Sequence, residues 1–210
     1  MNKNFLRETM AYLFGASLLF LLALPAGAGA PTEQTRATAD KVMSILNNPE
    51  LRSTARKNER REQLRAVIYP RFDFAEMAKR SLGPQWSPRS PQEQREFIRL
   101  FTEVLENNYV DKIESYNGVK ITYSRENLDN DRAEVFTKVV TKKGEEFAVN
   151  YILHSADDDW KVYDVVIENI SLVNNYRSQF NRILAKASFD ELLRKLQTKT
   201  PDITGVESKS

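Results

Sequence analysis

The chain has 210 residues, with 31 Lys and Arg against 29 Asp and Glu, one histidine and no cysteine. A formal charge of +2 with both signs interspersed offers no broad basic field to nucleic acid or to an anionic membrane. The lack of cysteine excludes a disulfide framework, a thiol nucleophile and a lipidated N-terminal cysteine.

The N-terminus reads as an address. Lys3 and Arg7 precede an apolar run from Ala11 to Leu24, and then come Pro25 and the small residues Ala26 to Ala30. That order of charge, apolar core and A-x-A site is a secretory signal peptide. Its apolar run is shorter than the roughly 20 residues that cross a bilayer as a helix, and the competing reading is an uncleaved anchor. Cleavage is written after Ala28 and after Ala30, and the second frame would leave Pro31 just past the scissile bond. Residues 1–28 are therefore expected to leave, taking Lys3, Arg7 and Glu8 and a net charge of about one with them. A free, soluble protein of a bacterial periplasm is expected, held together by its core alone.

Helical spacing over residues 33–48 places Val42, Ile45 and Leu46 together, and over residues 56–69 it does the same for Leu64, Val67 and Ile68. Pro70 ends the second helix. A short helix from Asp73 to Leu82 follows, with Asp73 as N-cap and Gly83-Pro84 as its stop. Ser90-Pro91-Gln92-Glu93 is a capping box with proline at the first helical position. The helix it opens runs to about Tyr116, with Phe97, Phe101, Val104, Leu105, Ile113 and Tyr116 as its apolar stripe, and stops at Asn117-Gly118.

Four strands are expected at about 119–124, 132–142, 146–154 and 160–167, separated by turns too short for anything but antiparallel pairing. The third alternates Phe147, Val149, Tyr151 and Leu153 on one face, whereas the second and fourth are apolar on both faces. A sheet of that kind is covered on each side. His154 stands alone and reads as an ordinary side chain, and Asp157 to Asp159 lack the spacing of a calcium loop and read as a hairpin turn. No metal site and no cofactor are expected. Helices return at about 171–186 and 189–196, and residues 199–210 read as a polar flexible tail. The class is α+β, with one domain over 29–198, mainly helical over 29–88 and helix–sheet–helix over 89–198.

The stretch Trp160 to Phe180 (WKVYDVVIENISLVNNYRSQF), with Leu82-Gly83-Pro84-Gln85-Trp86 and the helix from Gln94 to Tyr109, resembles the MlaC family of periplasmic phospholipid-binding proteins, the toluene-tolerance auxiliary components. The resemblance runs from about residue 36 to residue 197. Where the family usually has glycine after Glu168 this chain has Asn169, which tolerates a left-handed backbone. The resemblance implies a curved antiparallel sheet of four to five strands packed with N- and C-terminal helices around an apolar pocket. It implies a carrier that shuttles phospholipid between membranes to maintain outer-membrane lipid asymmetry. Its partners would be an inner-membrane MCE-domain ABC transporter complex and an outer-membrane lipoprotein–porin complex. A monomer suits a shuttle, and neither nucleic acid nor catalysis is implied.

On that resemblance the pocket wall is expected at Phe97, Phe101, Val104, Val139, Tyr151, Val165, Ile167, Leu172, Tyr176, Phe180 and Leu184. Projecting residues 172–187 on a helix places Leu172, Val173, Tyr176, Phe180, Ile183, Leu184 and Ala187 on one arc, with Arg177 at its border. Arg177 has two readings: a cation for a lipid phosphate, or an ion pair with Asp164 or Glu168. Three alternatives stand beside the phospholipid carrier. The cargo could be another apolar lipid such as a hopanoid, or the chain could be a ligand-free interaction module with a solid core. The third is a small enzyme using Tyr163 and Asp164, disfavoured because neighbours on a regular strand face opposite ways.

Overall fold

The structure is a computed structural model that describes residues 29–157 and 159–198. The expected signal peptide and polar tail lie outside the described residues, as does Asp158.

Among the described residues there are six α-helices and five β-strands, and all but the fifth strand stand in the expected order. The helices are α1 (Ala30–Asn47), α2 (Lys57–Ile68), α3 (Phe74–Leu82), α4 (Pro91–Ser115), α5 (Leu172–Leu184) and α6 (Phe189–Gln197). The strands are β1 (Lys120–Asp129), β2 (Arg132–Val140), β3 (Glu146–Ala156), β4 (Asp159–Ile167) and β5 (Ile170–Ser171). Short 3₁₀ turns flank α2 at Thr54–Arg56 and Tyr69–Arg71, the second of them around Pro70.

Local chemistry sets most boundaries. At α4 the Ser90 hydroxyl accepts from the Glu93 N–H while the Glu93 carboxylate accepts from the Ser90 N–H, closing the expected capping box. Asp73 caps α3 through the Glu76 N–H, and Gly83 leaves it at φ 55°, where a side chain would be strained. Ser171 and Ser188 cap α5 and α6.

All five strands pair antiparallel with their sequence neighbours, in the order β1-β2-β3-β4-β5. Strand β1 runs past the expected end at residue 124, and only Asn130 and Asp131 are left to make the turn between Asp129 and Arg132. Its polar end reads as loop in the sequence because an edge strand exposed on both faces has no apolar alternation to show. The Asp157 turn is the expected hairpin, with Ala156 paired to Asp159. Glu168 and Asn169, both at positive φ, turn β4 into the short β5, which sequence reading did not foresee. Asn169 at φ 65° thus fills the left-handed position expected of it.

Two bulges bend the sheet, one at Ser124 and one at Tyr163. In β4, Val162 pairs with Leu153 and Asp164 with Ile152, so Tyr163 is the extra residue. The strand is therefore not regular where Tyr163 meets Asp164, and the alternation argument does not hold there. Tyr163 joins the helical core, and Asp164 accepts from the Val173 N–H at 3.0 Å and from the Ser171 hydroxyl at the start of α5.

The largest core lies among α3, α4, α5 and α6. Phe97, Phe101, Tyr176 and Phe180 are fully buried there, with ring centroids 5.0 to 5.8 Å apart. A smaller cluster of Ala133, Val135, Leu153 and Val162 lies on the sheet.

Candidate functional site

Between the sheet and the N-terminal helices the packing stops short. A cavity of about 980 Å³ opens there, at the upper end of the ~300–1,000 Å³ typical of small-molecule sites. Its floor is the sheet, with Val139 of β2, Phe147, Val149 and Tyr151 of β3, and Val162, Val165 and Ile167 of β4. Val42, Met43 and Leu46 of α1 with Leu64 and Ile68 of α2 form one wall, and Leu105, Tyr109, Val110 and Ile113 of α4 form the facing one. Phe74, Met77 and Leu172 close the end nearest the helical core.

The charged groups in the lining sit at its margins. Lys112, Glu168 and Ile170 are solvent-exposed and mark a rim where the lining reaches water. Glu168 is held there by the Ala148 N–H, and the neighbouring Tyr116 and Phe147 rings lie 5.6 Å apart. Along another edge, Arg61 and Arg65 of α2 meet carboxylates of α4. Arg61 pairs with Glu114 at 2.9 Å and with Asp111, while Arg65 donates to Glu106 at 2.6 Å and the Tyr69 hydroxyl donates to Glu106 at 2.8 Å. Burial works against the charges of Glu106 and Glu114, yet Arg65 and Tyr69 hold the first carboxyl below its ordinary value, and Arg61 and Arg60 hold the second.

At the inner margin Arg71 ties three elements together. It donates to Gln34 and Thr38 of α1 and to Asp159 and the Trp160 carbonyl of β4. Against the desolvation of its own carboxylate, Asp159 is held at about 2 by Arg71, Lys161 and the Trp160 N–H. Tyr151, enclosed by the cavity and the sheet, has its hydroxyl pushed up to about 12 by burial.

The residues singled out from sequence divide between two places. Val139, Tyr151, Val165, Ile167 and Leu172 line the cavity. Phe97, Phe101, Val104, Tyr176 and Phe180 lie buried in the helical core behind it, and Leu184 packs against that core. Their neighbours are one another, so their apolar stripes face side chains and not open space. Arg177 is placed at the junction of α3 and α5. It lies outside the cavity lining and forms no ion pair among the described residues; its Nε donates to the Arg80 carbonyl at 2.8 Å. Its guanidinium crosses the bare face of Gly83 and satisfies a free carbonyl in the last turn of α3. His154 bonds Asp73 at 3.0 Å, so it braces the N-cap of α3.

The wall contributed by α1 and α2 went unnoticed in the sequence. Val42, Leu46, Leu64 and Ile68 were legible as inward-facing, but helical spacing does not say whether the inside is filled. The usable signal was charge: Arg61 and Arg65 one turn apart on α2 are complemented by Glu106, Asp111 and Glu114 on α4.

The chain is similar in fold and sequence to known proteins. The solved structure of the phospholipid-binding protein from Ralstonia solanacearum in complex with a phospholipid superposes with a TM-score of 0.74 at 23% identity, covering 83% of this chain and 99% of that one. The intermembrane phospholipid transport system binding protein MlaC of Haemophilus influenzae is 23% identical over 164 residues, 76% of this chain and 77% of that protein. The toluene tolerance protein ttg2D of Pseudomonas putida is 25% identical over 177 residues, 81% of this chain and 82% of that protein. The family model of the MlaC protein matches residues 36–198, which span α2 to α6, the whole sheet and most of α1. With that match over most of its length, the chain belongs to the MlaC family.

Proposed function

We propose that this chain is a periplasmic phospholipid carrier, which takes lipid between an outer-membrane lipoprotein–porin complex and an inner-membrane MCE-domain ABC transporter and so maintains outer-membrane lipid asymmetry. The observation that carries this reading is the apolar cavity of about 980 Å³. Its lining is mostly apolar, and holding that much hydrocarbon surface against water is unfavourable. Hydrocarbon is the filler that its lining suits.

The arithmetic of an acyl chain supports a carrier without chemistry. Burying one methylene contributes about 0.8 kcal/mol, so a chain of about 16 carbons gains roughly 12 kcal/mol. Two such chains exceed the practical ceiling of non-covalent affinity, about 18–21 kcal/mol. Chain ordering and headgroup desolvation must therefore consume part of the gain. What is left is tight binding with slow spontaneous release, so handover needs a partner. The acyl chains lie between sheet and helices, and the headgroup sits at the solvent-exposed rim beside Lys112 and Glu168. The relatives' names, phospholipid transport in one and a phospholipid complex in another, point the same way.

The test is lipid mass spectrometry. The full chain is expressed in a bacterium with two membranes, recovered from the periplasmic fraction without detergent, and extracted. Near-stoichiometric phospholipid, with an N-terminus at Gly29, is the expected result. A folded chain that carries no lipid and takes none up from vesicles would sink the carrier reading.

A further inference from the structure

The walls of the cavity are not joined alike. Helix α1 packs directly on α2, α3 packs on α4 and α5, and the strands are held by a continuous hydrogen-bond ladder. Helices α2 and α4 meet through the ends of long charged side chains. Arg60 reaches Glu114 at 2.6 Å, Arg61 reaches Glu114 and Asp111, Lys57 reaches Asp111 at 3.5 Å, and Arg65 reaches Glu106. The pairs run in antiparallel register, so the start of α2 faces the end of α4. Beneath them lie Leu64 and Ile68 on one side and Val110 and Ile113 on the other, all lining the cavity.

Building on the carrier reading, we propose that the seam between α2 and α4 is the portal through which lipid enters and leaves, with the arginine–carboxylate ladder as its latch. The physical reason is the difference between two kinds of seam. Parting an apolar seam exposes hydrocarbon to water, and nothing compensates. Parting ion pairs returns each charge to water, and that hydration repays most of the lost attraction, even for Arg60 and Glu114, which are mostly buried while paired. A helix held this way parts from α4 without unpacking the core among α3 to α6, and α1, which packs on it, moves with it. The ends of α2 fit such a movement. It begins at a 3₁₀ turn whose residues are all exposed, and it ends at a 3₁₀ turn where Arg71 anchors it to α1 and β4. Helix α2 swings on the Arg71 end, and its N-terminal end moves away from α4. The exposed rim at Lys112 and Glu168 does not widen in the same way, because β-sheet hydrogen bonds and the Tyr116–Phe147 contact fix it.

The experiment follows exchange of fluorescent phospholipid between the purified, lipid-loaded chain and vesicles of neutral phosphatidylcholine. The chain has no cysteine of its own, so Arg61→Cys with Glu114→Cys supplies the only two thiols. Bridging them with a cleavable bismaleimide is expected to slow exchange about tenfold or more, and cleaving the bridge to restore it. Each single variant treated with the same reagent keeps the untreated rate. In a second arm, Arg65→Glu speeds exchange about tenfold, and Arg65→Glu with Glu106→Arg brings it back to within about twofold of the original. That rescue separates a latch from a mere loss of folding. If the bridged protein exchanges as fast as the unbridged one, the portal is overturned while the carrier stands. A chain that carries no lipid overturns the carrier reading and the portal with it.

Discussion

The two sides of this molecule are built from the same side chains and end in opposite conditions. Among α3 to α6, Phe97, Phe101, Tyr176 and Phe180 meet ring to ring and leave no room. Between the sheet and α1, α2 and α4, residues of the same apolar kind face one another across open space. An apolar stripe therefore reports which way a side chain points, and only the distance to the opposite wall decides whether it builds a core or a container. In this chain the solid half gives the rigidity that lets the other half stay hollow.

Truncation on each side is the most direct way to break that comparison. Phe180→Ala removes a fully buried ring touching three others and is expected to cost about 3–5 kcal/mol in denaturant unfolding, since it leaves a new hole. Lipid bound per folded molecule should not change. A polar substitution at Phe101 should likewise lose folding before it loses cargo.

High pH probes the same boundary through tyrosine. Burial pushes Tyr151 up to about 12 and moves Tyr123 and Tyr176 higher still, whereas an unfolded tyrosine ionises near about 10. A raised folded value means that the protonated form is the one the fold favours. Stability from these groups is thus complete below about pH 10 and is lost as pH climbs through about 12. Because Tyr151 lines the cavity, bound hydrocarbon desolvates it further and moves that loss to higher pH than in the empty chain. An alkaline midpoint indifferent to cargo would assign Tyr151 to the solid side instead.

The smallest expected effect is the sharpest. Val165→Ala enlarges a space that already exists, so only transfer energy is lost, about 1–2 kcal/mol for two carbons. Its signature should appear in the chain lengths of the extracted lipid, read by mass spectrometry, more than in the unfolding curve.

How much of this was legible beforehand follows from the range of each signal. The capping box at Ser90, the Asp73 cap and the left-handed Asn169 are decided within a few residues, and the sequence carries them openly. The polar half of β1 was hidden because its pairing with β2, and not its own pattern, makes it a strand. Arg177 was legible as the border of an apolar arc, but its partner, the Arg80 carbonyl, is 97 residues away and is a backbone atom that no composition advertises. The candidate wall split for the same reason. Val165 and Phe180 look alike as apolar positions, and their difference lies in what stands opposite.

The neighbour-to-neighbour order of the sheet has a consequence for how the molecule is made. Each hairpin closes over a few residues, so the five strands can zip up early and locally. The contacts that seat α1 and α2 on β4 reach much further along the chain, 88 residues in the case of Arg71 and Asp159. Such closures come late, because the entropy of the intervening loop must be overcome first. Refolding beside vesicles and refolding in plain buffer would read that order through the lipid content of the product. The roof goes on last, and a nascent molecule can be wrapped around its first passenger before any door exists.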